Sequence, residues 1–173
     1  GINTFNNNAT GRLDVLGTGA GIAAVFNNNA IVTGGGVNVT AGTFTLSGGG
    51  NSTFDAIAPF TFAAGTTVNF AGGTNTITGM VNGTGALIFS GGANTITPAT
   101  GSTLSPSALT VSGGASVVTM PVAANWTPSA VSITNGTLDI GATTISTPSW
   151  TQSNGTFSSA GGATIPLGGA FAW

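Results

Sequence analysis

Charge is what this chain has least of. Among 173 residues only Arg12, Asp14, Asp55 and Asp139 are ionisable side chains, and Glu, Lys, His, Cys and Tyr do not occur. A single basic residue leaves no electrostatic footprint for nucleic acid or anionic lipid, so neither is expected as a partner. General acid–base and nucleophilic catalysis draw on His, Lys, Cys, Tyr or paired carboxylates. With three scattered Asp residues the chain is expected not to be an enzyme. Isolated Asp residues do not build a Ca²⁺ cage, and without Cys there are neither thiolate metal sites nor disulfides. No metal or cofactor is expected. The glycines of Gly17-Thr-Gly19-Ala-Gly21 mimic a nucleotide fingerprint, but no helical pattern follows them.

Long apolar runs are also missing. No stretch reaches the ~18 residues of a bilayer-spanning helix. The first residues carry no basic segment followed by an apolar one, so export would mean that a leader had already been removed. No segment holds apolar residues at i, i+3, i+4 and i+7 for a useful length, and helix content is expected to be close to nil. A surface so poor in charge does little to keep copies of the chain apart.

Glycine is abundant at 30 residues, and Thr, Asn, Ser and Ala supply most of the rest. Such a bias can signal disorder. Here Leu, Ile, Val and Phe together number 41, above the share typical of disordered chains. They also alternate with polar residues, as in Thr43-Phe-Thr-Leu46 and Val37-Asn-Val39. That alternation is the mark of half-buried strands.

One phrase recurs. Phe70-Ala-Gly-Gly-Thr-Asn-Thr-Ile-Thr78 returns as Phe89-Ser-Gly-Gly-Ala-Asn-Thr-Ile-Thr97 and, altered, as Val111-Ser-Gly-Gly-Ala-Ser-Val-Val-Thr119. Leu46-Ser-Gly-Gly-Gly-Asn51 belongs to the series, as do Phe26-Asn-Asn-Asn-Ala30 and Phe5-Asn-Asn-Asn-Ala9. The apolar anchors Phe5, Phe26, Leu46, Phe70, Phe89 and Val111 are spaced by 21, 20, 24, 19 and 22 residues. A fixed period without helical patterning points to a stacked architecture. The expected fold is all-β, a parallel β-helix (β-solenoid) of about eight coils with a period near 21 residues. The alternative is a β-sandwich, pilin-like subunit completed by donor-strand exchange. One domain is expected over 1–173, with regular coils at 1–97 and Pro- and Trp-containing coils at 98–173.

Asn51, Asn75 and Asn94 hold the same place in successive phrases, and Ser116 follows. Stacked coils bring equivalent side chains within ~4.8 Å, close enough for amide-to-amide hydrogen bonds. An Asn ladder is expected there. Arg12 and Asp14 project from one face of a strand and are expected to pair locally. Asp14 and Asp139 lie in similar phrases but roughly six coils apart, or ~30 Å, too far for the acid pair of glycoside hydrolysis. Thr76/Thr78 and Thr95/Thr97 are expected to stack into rows of hydroxyls, which suit ice or a crystalline polysaccharide.

Beyond residue 97 prolines gather, and Pro98–Pro106 reads as a longer loop or a corner. Trp126, Trp150 and Trp173 follow at intervals of 24 and 23, which predicts one Trp per coil in a buried aromatic stack. Asn82, Asn135 and Asn154 each precede Gly-Thr. They read as turn residues and as acceptors for N-linked glycans if the source glycosylates exported proteins.

Gly85-Ala-Leu-Ile-Phe-Ser-Gly-Gly-Ala-Asn-Thr-Ile-Thr97 and Gly42-Thr-Phe-Thr-Leu-Ser-Gly-Gly-Gly-Asn51 resemble repeats in secreted bacterial adhesins. These are the autotransporter passengers and the filamentous-haemagglutinin-like proteins. The resemblance implies a parallel β-helix acting at the cell surface in adhesion and matrix formation. No catalytic residue carries over. No translocator barrel or secretion domain is recognisable, which implies a processed fragment or a free-standing subunit.

The expected function is that of a structural subunit of an extracellular filament or matrix fibre. Its partner would be itself, in a homopolymer assembled head-to-tail through apolar ends at Ile2, Phe5, Phe171 and Trp173. The first alternative is a fragment of an adhesin passenger that binds host glycans or proteins. The second is the Thr-row binding of ice or polysaccharide. The expected location is extracellular or at the cell surface.

Overall fold

In the computed structural model the chain winds into a three-sided parallel β-solenoid of about seven turns, with a period of about 22 residues. The structure describes residues 3–30, 32–54, 57–120, 125–159 and 167–172. Strand β1 (Thr4–Ala9) comes first. Each turn then lays one strand on each of three faces. The first turn has β2 (Arg12–Leu16), β3 (Ala20–Ile22) and β4 (Val25–Ala30); the second has β5 (Gly36–Ala41), β6 (Thr43–Leu46) and β7 (Gly50–Phe54). Next come β8 (Phe60–Phe62), β9 (Thr67–Phe70) and β10 (Thr74–Gly79), then β11 (Val81–Gly83), β12 (Ala86–Phe89) and β13 (Ala93–Pro98).

In the fifth turn Leu104 takes the first-face position alone, bridged to Gly83 and to Trp126. It is followed by β14 (Ala108–Val111) and β15 (Val117–Thr119). The sixth turn comprises β16 (Asn125–Trp126), β17 (Val131–Ile133) and β18 (Thr137–Asp139). The seventh comprises β19 (Thr144–Ile145), β20 (Thr147–Gln152) and β21 (Thr156–Ser158), and β22 (Leu167–Ala172) returns to the second face.

Every ladder between these strands is parallel. The sandwich alternative, with its antiparallel sheets, is thereby set aside. The described strands make about seven turns, against the eight expected over 1–173. No helix occurs among the described residues, and none is long and apolar enough to cross a membrane.

Alternation builds the core. In β6 Phe44 and Leu46 are buried while Thr43 and Thr45 are half-buried, and β9, β12 and β14 repeat the pattern. Stacking turns this alternation into columns. Phe44, Val68, Leu87, Leu109, Val131 and Trp150 are in register along the second face. So are Leu46, Phe70, Phe89, Val111 and Ile133. The Phe70 and Phe89 rings stack with centroids 5.2 Å apart and planes 10° from parallel, an offset contact worth about 0.5–1.5 kcal/mol beyond burial.

The first-face column trades large for small. Phe62 lies below Gly83, and a Cβ on Gly83 would enter the Phe62 ring. Leu104, Trp126 and Ile145 continue the column. Close packing of this kind leaves little tolerance for a change in volume.

Pro98–Pro106 holds the corner that the sequence offered as one of two readings: Pro98 ends β13 and Leu104 is a buried rung of the first face. One sequence expectation is corrected here. The tryptophans do not stack on one another. Trp126 lies on the first face opposite Ile145, whereas Trp150 lies on the second opposite Val131. The sixth turn is shorter than the Trp spacing, so a step of 24 residues crosses a corner. Both side chains are buried, and Trp173 lies outside the described residues.

Candidate functional site: polar ladders and a groove on the first face

The recurring Gly-Gly phrase has a mechanical role. Asn75 turns inward after its corner and donates Nδ2 to the Gly72 carbonyl at 3.1 Å; Asn94 does the same to Gly91 at 3.1 Å. Each side chain thereby satisfies a corner carbonyl that the β-ladder leaves unpaired. The two meet in register, with Asn75 Nδ2 donating to Asn94 Oδ1 at 2.8 Å. Both are buried.

Asn51 does not join them. It is exposed, lies opposite Thr76, and uses its backbone N–H to donate to Asn27 Oδ1. Gly50 stands opposite Asn75 instead. Leu46 lies opposite Phe70, so this corner is one residue shorter than the next, and a one-residue slip turns Asn51 to the outer face. Gly50 has φ +144°, and a Cβ there would collide with the Phe26 carbonyl oxygen. Ser116 is buried two positions before Val118, and Val118 is the residue opposite Asn94.

A second internal ladder had no forecast. Asn7 Nδ2 donates to Asn28 Oδ1 at 2.7 Å, and Ser52 Oγ accepts from the Asn28 N–H at 3.2 Å. The Asn-Asn-Asn triplets in the middle of these strands were its available signal, since only alternate residues of a strand can point inward.

The structure distributes the other expected residues as follows. Phe5 is 43% exposed and stacks on Phe26 at 5.7 Å. The Phe171 backbone lies opposite Trp150, while Ile2, Trp173 and the Phe171 side chain lie outside the described residues. Asn135 and Asn154 are exposed in bends. Asn82 is no turn residue: it sits within β11 with its Oδ1 accepting the Thr103 N–H at 2.8 Å. Thr76 and Thr78 face Thr95 and Thr97, and the rows extend to Thr119 and Thr53.

The outer side of the first face carries the richest polar geometry. Asp14, Asn38, Thr61 and Asn82 are in register on successive strands, and Thr103 follows beside the Gly83–Leu104 bridge. Arg12 Nε donates to Asp14 Oδ1 at 2.7 Å, as the spacing suggested. Asn38 Nδ2 donates to the same oxygen at 3.3 Å, and Thr61 Oγ1 donates to Asn38 Oδ1 at 2.6 Å.

Two open hollows flank this ladder and share Asn38 and Thr61. One, of about 170 Å³, runs along Arg12, Ile57 and Pro59; the other, of about 270 Å³, runs along Ala63, Asn82, Thr84 and Thr103. Each alone is smaller than the roughly 300–1,000 Å³ of a ligand pocket; the two make up the first-face groove. Asp139 sits on the third face, away from Asp14. Among the described residues no three His, Cys, Asp or Glu side chains gather where they could hold a metal ion.

Stacked parallel turns with inward Asn ladders define a β-solenoid repeat protein. No family model matches the chain, and no curated protein or solved structure matches it either.

Proposed function

We propose that this chain is a structural segment of an extracellular fibre or matrix, in which solenoid turns stack on turns of neighbouring copies. The observation that carries the reading is the form of the outermost described rung. Among the described residues strand β1 is paired on one edge only, with β4, and its Phe5 ring lies half open on Phe26. That rung offers a neighbour what every inner rung offers the next: a row of backbone N–H and C=O groups and the end of an apolar column. Another turn, from this chain or from a copy, completes it. The scarcity of charge removes the repulsion that would hold copies apart.

Negative-stain microscopy of the purified chain tests this. Filaments of constant width are expected. Monodisperse short rods at high concentration would count against assembly and favour the second reading, a surface adhesin segment that binds glycans. The first-face groove is the observation that supports that second reading.

A further inference from the structure

We propose that the first-face groove binds an extended, neutral oligosaccharide, lying obliquely across the ladder from Arg12 to Thr103. The inference deepens the adhesin reading by giving it a site and a ligand class, and it does not require fibre assembly.

Length comes first. Asp14, Asn38, Thr61, Asn82 and Thr103 occupy five successive rungs, which span about 19 Å at the ~4.8 Å strand spacing. A rung step is close to the length of one pyranose unit, so the ladder meets about four sugars. Chemistry comes second. Asn82 Nδ2, Thr103 Oγ1, the terminal guanidinium nitrogens of Arg12 and Asp14 Oδ2 make no hydrogen bond within the described residues, whereas the neighbouring atoms Asp14 Oδ1 and Asn38 Oδ1 are taken. Unused donors and acceptors therefore stand at both ends of the ladder, on either side of the groups it already fixes. That arrangement suits hydroxyls, which donate and accept at once.

Charge selects against acidic sugars. Arg12 and Asp14 are the charged residues along the ladder, and they neutralise each other at 2.7 Å. The pair carries no net charge to draw a uronate or sulfate, and its Asp14 carboxylate repels one. The walls fit as well: Ile57 is 48% exposed beside one hollow and Ala63 is exposed beside the other. Small apolar walls take up the C–H faces of a sugar ring.

The test is an NMR titration of the intact chain with cellotetraose, mannotetraose and tetragalacturonate. Saturable shifts confined to the first face are expected with at least one neutral tetramer, and none with the acidic one. Asn38→Ala combined with Thr61→Ala is expected to weaken binding at least tenfold. Thr103→Trp, at an exposed position, fills the groove and is expected to abolish binding with the fold intact by circular dichroism. Thr95→Ala on the third face is expected to leave binding unchanged. Three results would overturn the proposal: no binding of either neutral tetramer at millimolar concentration, equal or tighter binding of tetragalacturonate, or full affinity in the Thr103→Trp variant. Filaments without binding would overturn it and leave the fibre reading standing.

Discussion

Asn75 donates to Asn94 across one turn of the solenoid at 2.8 Å, and each holds the first glycine of its own corner by a second hydrogen bond. A single inward carboxamide thus fixes a corner and locks it to the next turn. Replacing Asn75 by Ala removes both bonds and leaves Asn94 Oδ1 buried without a donor, which costs about 1–3 kcal/mol for an unpaired buried polar group. Asn51→Ala, on the exposed outer face, is expected to stay within about 0.5 kcal/mol of the parent. Urea denaturation of the two variants checks the contrast. Equal losses would mean that the inward ladder stabilises no more than a surface amide.

Gly50 and Gly65 separate two reasons for glycine. Gly65 has φ +78° with open space around it, so Gly65→Ala meets only the backbone cost of a left-handed residue, about 1–2 kcal/mol. Gly50 adds a collision with the Phe26 carbonyl oxygen, which is main chain and cannot swing away. Gly50→Ala is therefore expected to cost clearly more than Gly65→Ala, by at least about 2 kcal/mol. Thermal melts of both variants decide it.

These two positions also show how far the sequence could be read. The stack of parallel turns was legible because alternation and a near-constant phrase leave few other folds open; the third strand of each turn was not. Asn75 and Asn94 could be aligned since both stand five residues after their anchors, Phe70 and Phe89, and the corners between are alike. Asn51 stands five residues after Leu46 too. Its displacement comes from a corner one residue shorter than the next, which the matching phrases do not reveal. The tryptophans misled for a related reason: turns vary in length, so an interval near the mean period need not keep a residue on one face. The first-face groove was hidden by variety. Asp14, Asn38, Thr61, Asn82 and Thr103 differ in type and are spaced by 24, 23, 21 and 21 residues. The available signal was the polar centre of Val37-Asn-Val39, Phe60-Thr-Phe62 and Val81-Asn-Gly83, each flanked by residues that face inward.

Stability should be nearly indifferent to salt. The Arg12–Asp14 pair is half exposed on its Arg side and one-third exposed on its Asp side. Such pairs contribute about 0–1 kcal/mol and are screened. Raising NaCl to about 1 M shortens the screening length to ~3 Å and is expected to shift the unfolding free energy by less than about 0.5 kcal/mol. Asp14→Asn is expected to change it as little. A large salt-dependent loss would show that charge contributes more to the fold than this exposed pair.

The indole of Trp150 is 2% exposed and meets the Phe157 ring edge-on at 5.0 Å, yet its Nε1–H has no acceptor among the described residues. Two effects of opposite sign meet there. Burying so large a side chain stabilises the column, and truncation to Ala should cost about 3–5 kcal/mol. The unpaired N–H gave up its water without a replacement, a penalty of about 1–3 kcal/mol. Trp150→Phe keeps most of the apolar volume and removes the stranded donor, so the gain offsets much of the lost packing. The expected net change is under about 1.5 kcal/mol, within the range of near-isosteric core swaps. Trp126 has the same unpaired nitrogen and should respond alike. Chemical denaturation of the Phe and Ala variants separates the terms. If Trp150→Phe cost as much as Trp150→Ala, the nitrogen would have to be bonded in solution and the packing argument for this column would fail.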